Sequence, residues 1–284
     1  MSRIVYLNGD YLPEEEAKVS IFDRGFVMAD AVYEVTAVLG GKLIDFGGHY
    51  ARLRRSLDEL EMAEPLTEAE LLAMNRALVE KNGIVDGMVY LQITRGNPGD
   101  RDFLFPDPAT PPTVVAFTQV SDNLTAAPKP KAVITVPDLR WDRRDIKTVQ
   151  LLYPSMAKTM AVKAGADDAW LVDEAGNVTE GTSNNAYIVK AGKIITRPLS
   201  HDILHGITRA AIVRLAREAQ MEVEERPFTV AEAQAADEAF VTSASQFATP
   251  VVRIDDATVG TGAPGPVAIR LREIYLDEMR RAAI

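Results

Sequence analysis

Strand patterns and helix patterns follow one another irregularly along this chain, and their order constrains the fold more than any other feature of the sequence. A doubly wound sheet needs a regular βαβ alternation, usually with a glycine-rich dinucleotide fingerprint, and the sequence has neither. The order therefore favours an α+β fold. Apolar alternation predicts strands near 4–12, 31–45, 87–95, 113–119, 132–136, 169–172, from about 178, and near 185–189, 193–196, 239–243 and 250–254. Helical periodicity predicts helices from about 49, 67, 154, 207 and 265.

The length of the chain and one polar segment predict two domains. A chain of 284 residues is long for a single core. Residues 121–131 are polar and contain two prolines, which makes them the best linker candidate. We therefore expect a smaller N-terminal domain over 1–120, a linker over 121–131 and a larger C-terminal domain over 132–284.

Charge and composition exclude several kinds of site. The net charge is −10, whereas nucleic-acid binding needs a basic face. The chain has no cysteine, which excludes disulfides, a thiolate nucleophile and a cysteine zinc site. His201 and His205 have helical i, i+4 spacing but lack the glutamate of a metalloprotease, so we expect no metal. No apolar run reaches membrane-spanning length, and we expect a soluble protein of the cytoplasm.

Two charged residues are candidates for chemistry. Lys147 follows Asp145-Ile146 just before an apolar run. If this segment is a strand, Asp145 and Lys147 share one face, and a lysine against an apolar wall can react as a free amine. Glu180 stands at a predicted strand end before a cluster of hydroxyl and amide residues, where it could face a heterocyclic nitrogen. The alternative for both is a solvated surface charge.

A helix start and one arginine suggest a phosphate site. Gly206 permits close backbone approach, and Thr208 adds a hydroxyl beside the exposed N–H groups of the helix that begins there. The alternative is an ordinary threonine-capped helix. Arg52 lies in a charged helical stretch, where most arginines are solvated.

In order, these segments resemble the class IV aminotransferases, the fold type IV family of pyridoxal-phosphate enzymes. The resemblance covers nearly the whole chain, from Leu7-Asn8-Gly9 to Thr249-Pro250-Val251. It implies a homodimer of two-domain subunits, each with a small N-terminal α/β domain and a larger C-terminal domain with a β-barrel-like core. The most specific motifs are Asp23-Arg24-Gly25, Val32-Tyr33-Glu34, His49-Tyr50-Ala51-Arg52-Leu53, Asp145-Ile146-Lys147-Thr148, Thr179-Glu180-Gly181-Thr182-Ser183-Asn184 and Gly206-Ile207-Thr208-Arg209.

The resemblance also assigns roles around the cofactor, pyridoxal 5′-phosphate. Lys147 would form the Schiff base and later move a proton between the substrate Cα and the cofactor C4′. Glu180 would pair with the pyridine nitrogen, and Leu204 would pack against the ring. The phosphate would bind at Ile207 and Thr208, with Arg52 as counter-charge. A second phosphate contact falls at Ser243 and Ala244, where the family's threonine is absent.

Within the family, Val32-Tyr33-Glu34 and Arg101 look most like the D-amino acid aminotransferases. There, a tyrosine, an arginine and a histidine hold the substrate carboxylate, and Phe103 stands where the histidine is expected. We therefore expect transfer from a D-amino acid, such as D-alanine, to 2-oxoglutarate or another keto acid. The family alternatives are a branched-chain L-amino acid aminotransferase, aminodeoxychorismate lyase and an R-selective amine transaminase. A non-enzymatic binding module on the same fold is the alternative from another class.

Overall fold

The computed structural model describes residues 2–121 and 124–284, which form two compact units. The first unit contains the described residues up to Leu124 together with Ile146–Gln150 and Ala282–Ile284, and the second contains Thr125–Asp145 and Leu151–Arg281. The predicted linker, 121–131, includes Asp122 and Asn123, which lie outside the described residues. The catalytic candidate Lys147 thus belongs to the first unit, although most of its neighbours in sequence belong to the second.

The first unit is an antiparallel six-stranded sheet with helices packed on one face. The elements are β1 (Ile4–Leu7), β2 (Asp10–Pro13), α1 (Arg24–Met28), β3 (Ala31–Leu39), β4 (Lys42–Leu43), α2 (Phe46–Glu59), α3 (Glu68–Lys81), β5 (Gly87–Thr94) and β6 (Thr113–Val120). The strand order in the sheet is β2-β1-β6-β5-β3-β4. Alternate residues of β3, such as Val32 and Glu34, are buried, while Tyr33 and Val35 lie half-buried on the other face, as the alternation predicts.

The local sequence explains where the helices of the first unit begin. Thr67 and Glu70 form a capping box at the start of α3, as the predicted start at 67 requires. Helix α2 begins at Phe46, three residues before the predicted start at His49, because two glycines that disfavour a helix follow Phe46 and hide its first turn. The five-residue α1 has no apolar periodicity to reveal it, so the sequence does not predict it.

The second unit is built on a nine-stranded mixed sheet. The elements are β7 (Lys131–Pro137), α4 (Leu152–Lys163), β8 (Asp168–Val172), β9 (Val178–Gly181), β10 (Asn185–Lys190), β11 (Lys193–Thr196), α5 (Ile207–Glu218), β12 (Val223–Glu225), α6 (Val230–Gln234), β13 (Glu238–Ser243), β14 (Phe247–Ile254), β15 (Ala257–Thr258) and α7 (Pro266–Ala282). The strand order is β12-β11-β10-β13-β14-β7-β8-β9, with β15 paired to β14. Strand β9 turns back towards β10, where Gly181 N donates to Asn184 O at 2.8 Å, so the sheet curls around a core that includes Trp170, Phe228 and Val251.

The α+β class and the curled sheet of the C-terminal part confirm the predicted fold. Three short elements, β12, α6 and β15, escape the sequence prediction because two to five residues carry too little periodicity. Among the described residues, no helix combines the length and the apolar character needed to cross a membrane.

Candidate active site

Lys147 lies on a short segment that is held along strand β3. Tyr33 N donates to Lys147 O at 3.0 Å, Val149 N donates to Ala31 O at 3.1 Å, and Thr148 forms an isolated antiparallel bridge with Val32. The segment is otherwise irregular, so the expected strand face shared by Asp145 and Lys147 is wrong. Asp145 lies in a turn, and its carboxylate is fully buried beside Arg143 at 3.1 Å.

The amine of Lys147 is half-buried and rests on an aromatic ring. Its Nζ lies 3.9 Å from the centroid of the Tyr33 ring, a cation–π arrangement. Tyr33 in turn stacks on Tyr90, with ring centroids 5.6 Å apart. No carboxylate of the described residues forms an ion pair with this amine, whereas the surface lysine Lys129 pairs with Asp167.

Arg52 is buried, which differs from the surface position that is usual for an arginine in such a stretch. It donates to Glu34 through Nε at 2.8 Å and through a terminal nitrogen at 2.7 Å, and His49 Nδ1 lies 2.8 Å from the same carboxylate. Burial alone raises the pKa of Glu34, but Arg52 and His49 more than offset it and hold the pKa at about 2. Glu34 therefore remains ionised and holds the Arg52 guanidinium in place. Ser56, one turn after Arg52 on α2, accepts a hydrogen bond from Lys147 N at 3.3 Å.

Sequence reasoning did not assign a role to Glu34. A signal existed, since the alternation of β3 puts Glu34 on the same inward face as Val32 and Val38. A charged residue at an inward position needs a partner, and His49 and Arg52 lie on the helix that packs on that face.

In the second unit, Glu180 lies near the end of strand β9 as a buried carboxylate with several donors. Arg140 donates to Oε1 at 2.6 Å and Asn185 Nδ2 donates to Oε2 at 3.0 Å. Leu204 N donates to both oxygens, at 3.2 and 3.1 Å. Burial raises the pKa of Glu180, and Arg140 opposes that rise only in part. The charge on this carboxylate therefore depends on Arg140.

Arg140 is a residue that sequence reasoning missed. It forms two hydrogen bonds with Asp138, from Nε at 2.9 Å and from a terminal nitrogen at 2.7 Å. Asp138 is buried and also accepts from Thr179 at 2.7 Å. Residues 138–145 form a dense run of charges, which in sequence is typical of a solvated loop. Only the packing shows that this run supplies the cation beside Glu180.

The N-terminus of α5 can hold an anion. Its N-cap residue, Gly206, provides no side-chain hydrogen bond to the first turn, and Thr208 is buried there. A Cβ on Gly206 would lie 2.1 Å from Asn185 Oδ1, so any larger residue there would displace the Asn185 side chain. The N–H groups of Ile207 and Thr208 carry the positive end of the helix dipole. Ser243 and Ala244, both half-buried, lie at the end of β13.

The predicted carboxylate-binding residues are only partly brought together. Tyr33 lies beside Lys147, whereas Arg101 and Phe103 are on the exposed loop between β5 and β6. The Arg101 guanidinium stands 4.6 Å from the Phe103 ring centroid, and Phe103 is 75% exposed. Within the described residues, Arg101 makes no hydrogen bond or ion pair with Tyr33.

Comparison with known proteins decides the family. A family model described as amino-transferase class IV matches residues 31–254. The chain belongs to the class IV aminotransferases. The enzyme is 39% identical to D-alanine aminotransferase of Staphylococcus aureus (strain MSSA476), with 95% of each chain covered. It is 38% identical to D-alanine aminotransferase of Bacillus licheniformis, with 93% of this chain and 92% of the relative covered.

Solved structures agree with the family. The branched-chain amino acid aminotransferase of Thermobaculum terrenum, in its PLP-form (holo-form), superposes with a TM-score of 0.87 at 26% identity and covers 98% of this chain and 94% of its own. The branched-chain aminotransferase of Thermoproteus uzoniensis with norvaline gives 0.86 at 26% identity, covering 97% and 94%. The predictions of family, cofactor and enzyme class are confirmed: the enzyme is a pyridoxal-phosphate-dependent aminotransferase that acts on amino and keto acids.

The side chains of this enzyme fit the cofactor. Lys147 offers a primary amine, the group that condenses with an aldehyde carbon, and no described carboxylate pairs with it. Glu180 offers a buried carboxylate for a heterocyclic nitrogen, and the uncapped start of α5 offers N–H groups for a phosphate. Each of these groups is the chemical complement of one part of pyridoxal phosphate.

Proposed function

We propose that the enzyme transfers the amino group of a D-amino acid, such as D-alanine, to 2-oxoglutarate or another keto acid. The observation that carries this proposal is the contact of Lys147 Nζ with Tyr33, at 3.9 Å from the ring centroid. It places the central residue of Val32-Tyr33-Glu34, the motif that resembles the D-specific enzymes, beside the reacting amine. The 38–39% identity to D-alanine aminotransferases supports the same substrate class.

In the proposed mechanism, Lys147 binds the cofactor and then carries the proton between the substrate Cα and the cofactor C4′. Bound pyridoxal phosphate supplies an electron sink for the charge left on Cα. Glu180 would pair with the pyridine nitrogen and keep it protonated, and Leu204, whose N–H also orients Glu180, would pack against the ring. The start of α5, through Ile207 and Thr208, holds the phosphate.

Further phosphate contacts complete the proposed cofactor site. Arg52 acts as a fixed counter-charge, since Glu34 and His49 hold its side chain in one place. Ser243 supplies a hydroxyl, and the backbone of Ala244 replaces the hydroxyl of the family's threonine. These assignments rest on the resemblance and on the placement of each side chain within its own unit.

The substrate carboxylate is assigned to Tyr33 and Arg101. Phe103 cannot donate a hydrogen bond, so it cannot replace the histidine of the related enzymes as a ligand. Its ring instead faces the guanidinium of Arg101 at 4.6 Å. We expect a carboxylate site with fewer hydrogen bonds than in those enzymes, and therefore a broader range of donors.

Paired donors test the proposal. With 2-oxoglutarate as acceptor, we expect D-alanine to exceed L-leucine in kcat/KM by on the order of 100-fold or more, because one face of Cα must meet the Lys147 amine. Glutamate formation measures both reactions, and L-alanine is the matched control for chain length. Preference for L-leucine would support the branched-chain enzyme, the activity named for the two solved structures. Pyruvate released from aminodeoxychorismate would support the lyase.

We also propose a homodimer, as the resemblance implies. Each unit exposes apolar side chains that a monomer would leave in water. On the first unit, Phe26, Phe103 and Leu104 are each 75% exposed. On the second, helix α4 exposes Leu152 at 76% and Met160 at 48%. In the homodimer that the resemblance implies, a second copy of this chain would cover these surfaces.

Sedimentation tests the dimer. The wild-type protein should sediment at about twice the subunit mass of 31.0 kDa. The double variant Leu152→Glu, Met160→Glu should sediment as a monomer, because two buried carboxylates at an interface have no partner. Ile269→Glu, at an exposed apolar position of α7, is the matched control and should stay dimeric. A monomeric wild-type protein would contradict the proposal.

A further inference from the structure

The exposed loop that carries Arg101 is held from beneath by an arginine of α1. A terminal nitrogen of Arg24 donates to the carbonyls of Asp102, at 2.7 Å, and Leu104, at 3.2 Å. These two carbonyls flank Phe103. Arg24 is itself only 4% exposed, so its guanidinium is fixed by the surrounding packing. The loop therefore has a buried anchor on either side of Phe103.

Arg24 belongs to a small buried network of charges. Its Nε donates to Asp30 Oδ2 at 2.7 Å, and Nε of Arg95 donates to the same oxygen at 2.8 Å. Arg95 also donates to the carbonyls of Leu60 and Glu61, which follow α2. Its guanidinium lies 3.8 Å from the ring centroid of Phe105. The network thus joins the loop to the end of α2 and to the end of β5.

The backbone holds the same residues in place. Arg24 N donates to Gly96 O at 2.9 Å, and Arg95 N donates to Asp30 O at 3.1 Å. A Cβ on Gly25 would lie 2.4 Å from Thr94 Cγ2, so α1 can approach β5 this closely only with glycine at that position. The motif Asp23-Arg24-Gly25 therefore brings a guanidinium under the loop.

The network of Arg24, Arg95 and Asp30 carries more positive than negative charge, which apolar packing would not require. Two buried arginines share one aspartate, which leaves a net positive charge that carbonyls and an aromatic ring satisfy. Buried ion networks of this kind are weak contributors to stability compared with apolar packing. This network makes directed contacts with the loop, through the Asp102 and Leu104 carbonyls and the Phe105 ring. The geometry fixed here is that of residues 102–105, directly after Arg101.

We propose that Arg24, Asp30 and Arg95 are positioning residues that hold the 98–106 loop so that Arg101 is presented to the substrate carboxylate. The inference rests on the proposed D-amino acid aminotransferase function. Arg24 contacts two carbonyls beside Phe103, and Arg95 contacts Phe105. Between them these contacts hold residues 102–105 against the first unit, while the side chain of Arg101 stays exposed.

The test is a double-mutant cycle with Arg24→Lys and Arg101→Met. A lysine keeps the charge beside Asp30 but cannot donate to Asp30 and both carbonyls together. We expect Arg24→Lys to raise KM for D-alanine by about 10-fold while kcat changes less than about 3-fold. In an Arg101→Met background the same substitution should have no further effect on KM, because the group it positions is absent.

A second readout needs no cofactor and no substrate. Trypsin cleaves after Arg101 when the loop leaves its anchored position, so Arg24→Lys should raise the rate of that cleavage by about 10-fold in the apoenzyme. Phe105→Leu, which removes the ring under Arg95, should raise it as well and serves if Arg24→Lys does not fold. Arg270→Lys, at an exposed position of α7, is the control and should change neither KM nor cleavage.

The outcomes separate the inference from the proposed function. If wild-type enzyme uses D-alanine, Arg101→Met raises KM and Arg24→Lys leaves both KM and cleavage unchanged, the positioning role is wrong. The role is also wrong if the KM effect of Arg24→Lys persists undiminished with Arg101→Met. If wild-type enzyme does not use D-alanine, the proposed function fails, and faster cleavage of Arg24→Lys alone still supports the anchoring of the loop.

Discussion

Lys147→Ala is expected to abolish transamination with every amino donor. In the proposed mechanism this amine both attaches the cofactor and carries the proton at Cα, so kcat should fall by on the order of 10⁴-fold or more. The wild-type protein, incubated with pyridoxal phosphate and reduced with borohydride, should carry one covalently attached, reduced cofactor on the peptide that contains Lys147. The variant should gain none. Its fold should be intact, because the side chain is half-buried and forms no ion pair with any described residue.

Lys129→Ala is the matched control for this prediction. Lys129 is 87% exposed and pairs with Asp167, so its loss should leave both activity and labelling unchanged. A Lys147→Ala protein that kept full transamination would refute the assignment. Labelling at a different lysine of the wild-type protein would refute it as well.

Arg140→Met is expected to lower kcat by about 100-fold at neutral pH, because it removes the cation beside Glu180. Without the guanidinium, the hydrogen bond from Leu204 N still opposes burial, but the largest opposing group is lost and the pKa of the Glu180 carboxyl rises further. A protonated Glu180 cannot hold a positive charge on the pyridine nitrogen. Because raising the pH ionises the carboxyl, the deficit should shrink as pH increases. Rate measurements over a range of pH, relative to wild type, check both the size and the direction of the effect.

Two further variants distinguish charge from packing at Arg140. Glu180→Gln should reproduce the loss of kcat without its recovery at high pH, since glutamine does not titrate. Arg140→Lys keeps a cation and should restore part of the activity. Arg217→Met, at a half-exposed arginine of α5, is the control. A pH-independent deficit in Arg140→Met would show that the residue acts through packing alone.

Elements with clear periodicity were predictable from the sequence, and the fold class followed from their order. Helix α3 shows why, since its capping box marks its start and its apolar face marks its length. Helix α1 had no such signal, because five residues make little more than one turn. Its position depends on the contact of Gly25 with Thr94, which joins residues far apart in sequence.

The candidate site was predictable mainly through the family motifs. Lys147, Glu180 and Thr208 each have an ordinary local sequence, and only their combination along the chain indicated a cofactor. Arg140 could not be found in this way, because a charged run gives no sign of which member is buried. Burial and pairing are properties of the folded chain. They decide the charge of Glu180, which the sequence alone leaves open.

Residues Ile146–Gln150 complete the first unit, although the chain has already begun the second unit when it reaches them. Ile146 is buried in the first core, and Thr148 pairs with Val32. During synthesis, the N-terminal part up to Leu124 therefore emerges before a segment that packs in its own core. The amine of Lys147 takes its place beside Tyr33 only when that delayed segment arrives, so a nascent chain that ends before it lacks the amine proposed to bind the cofactor.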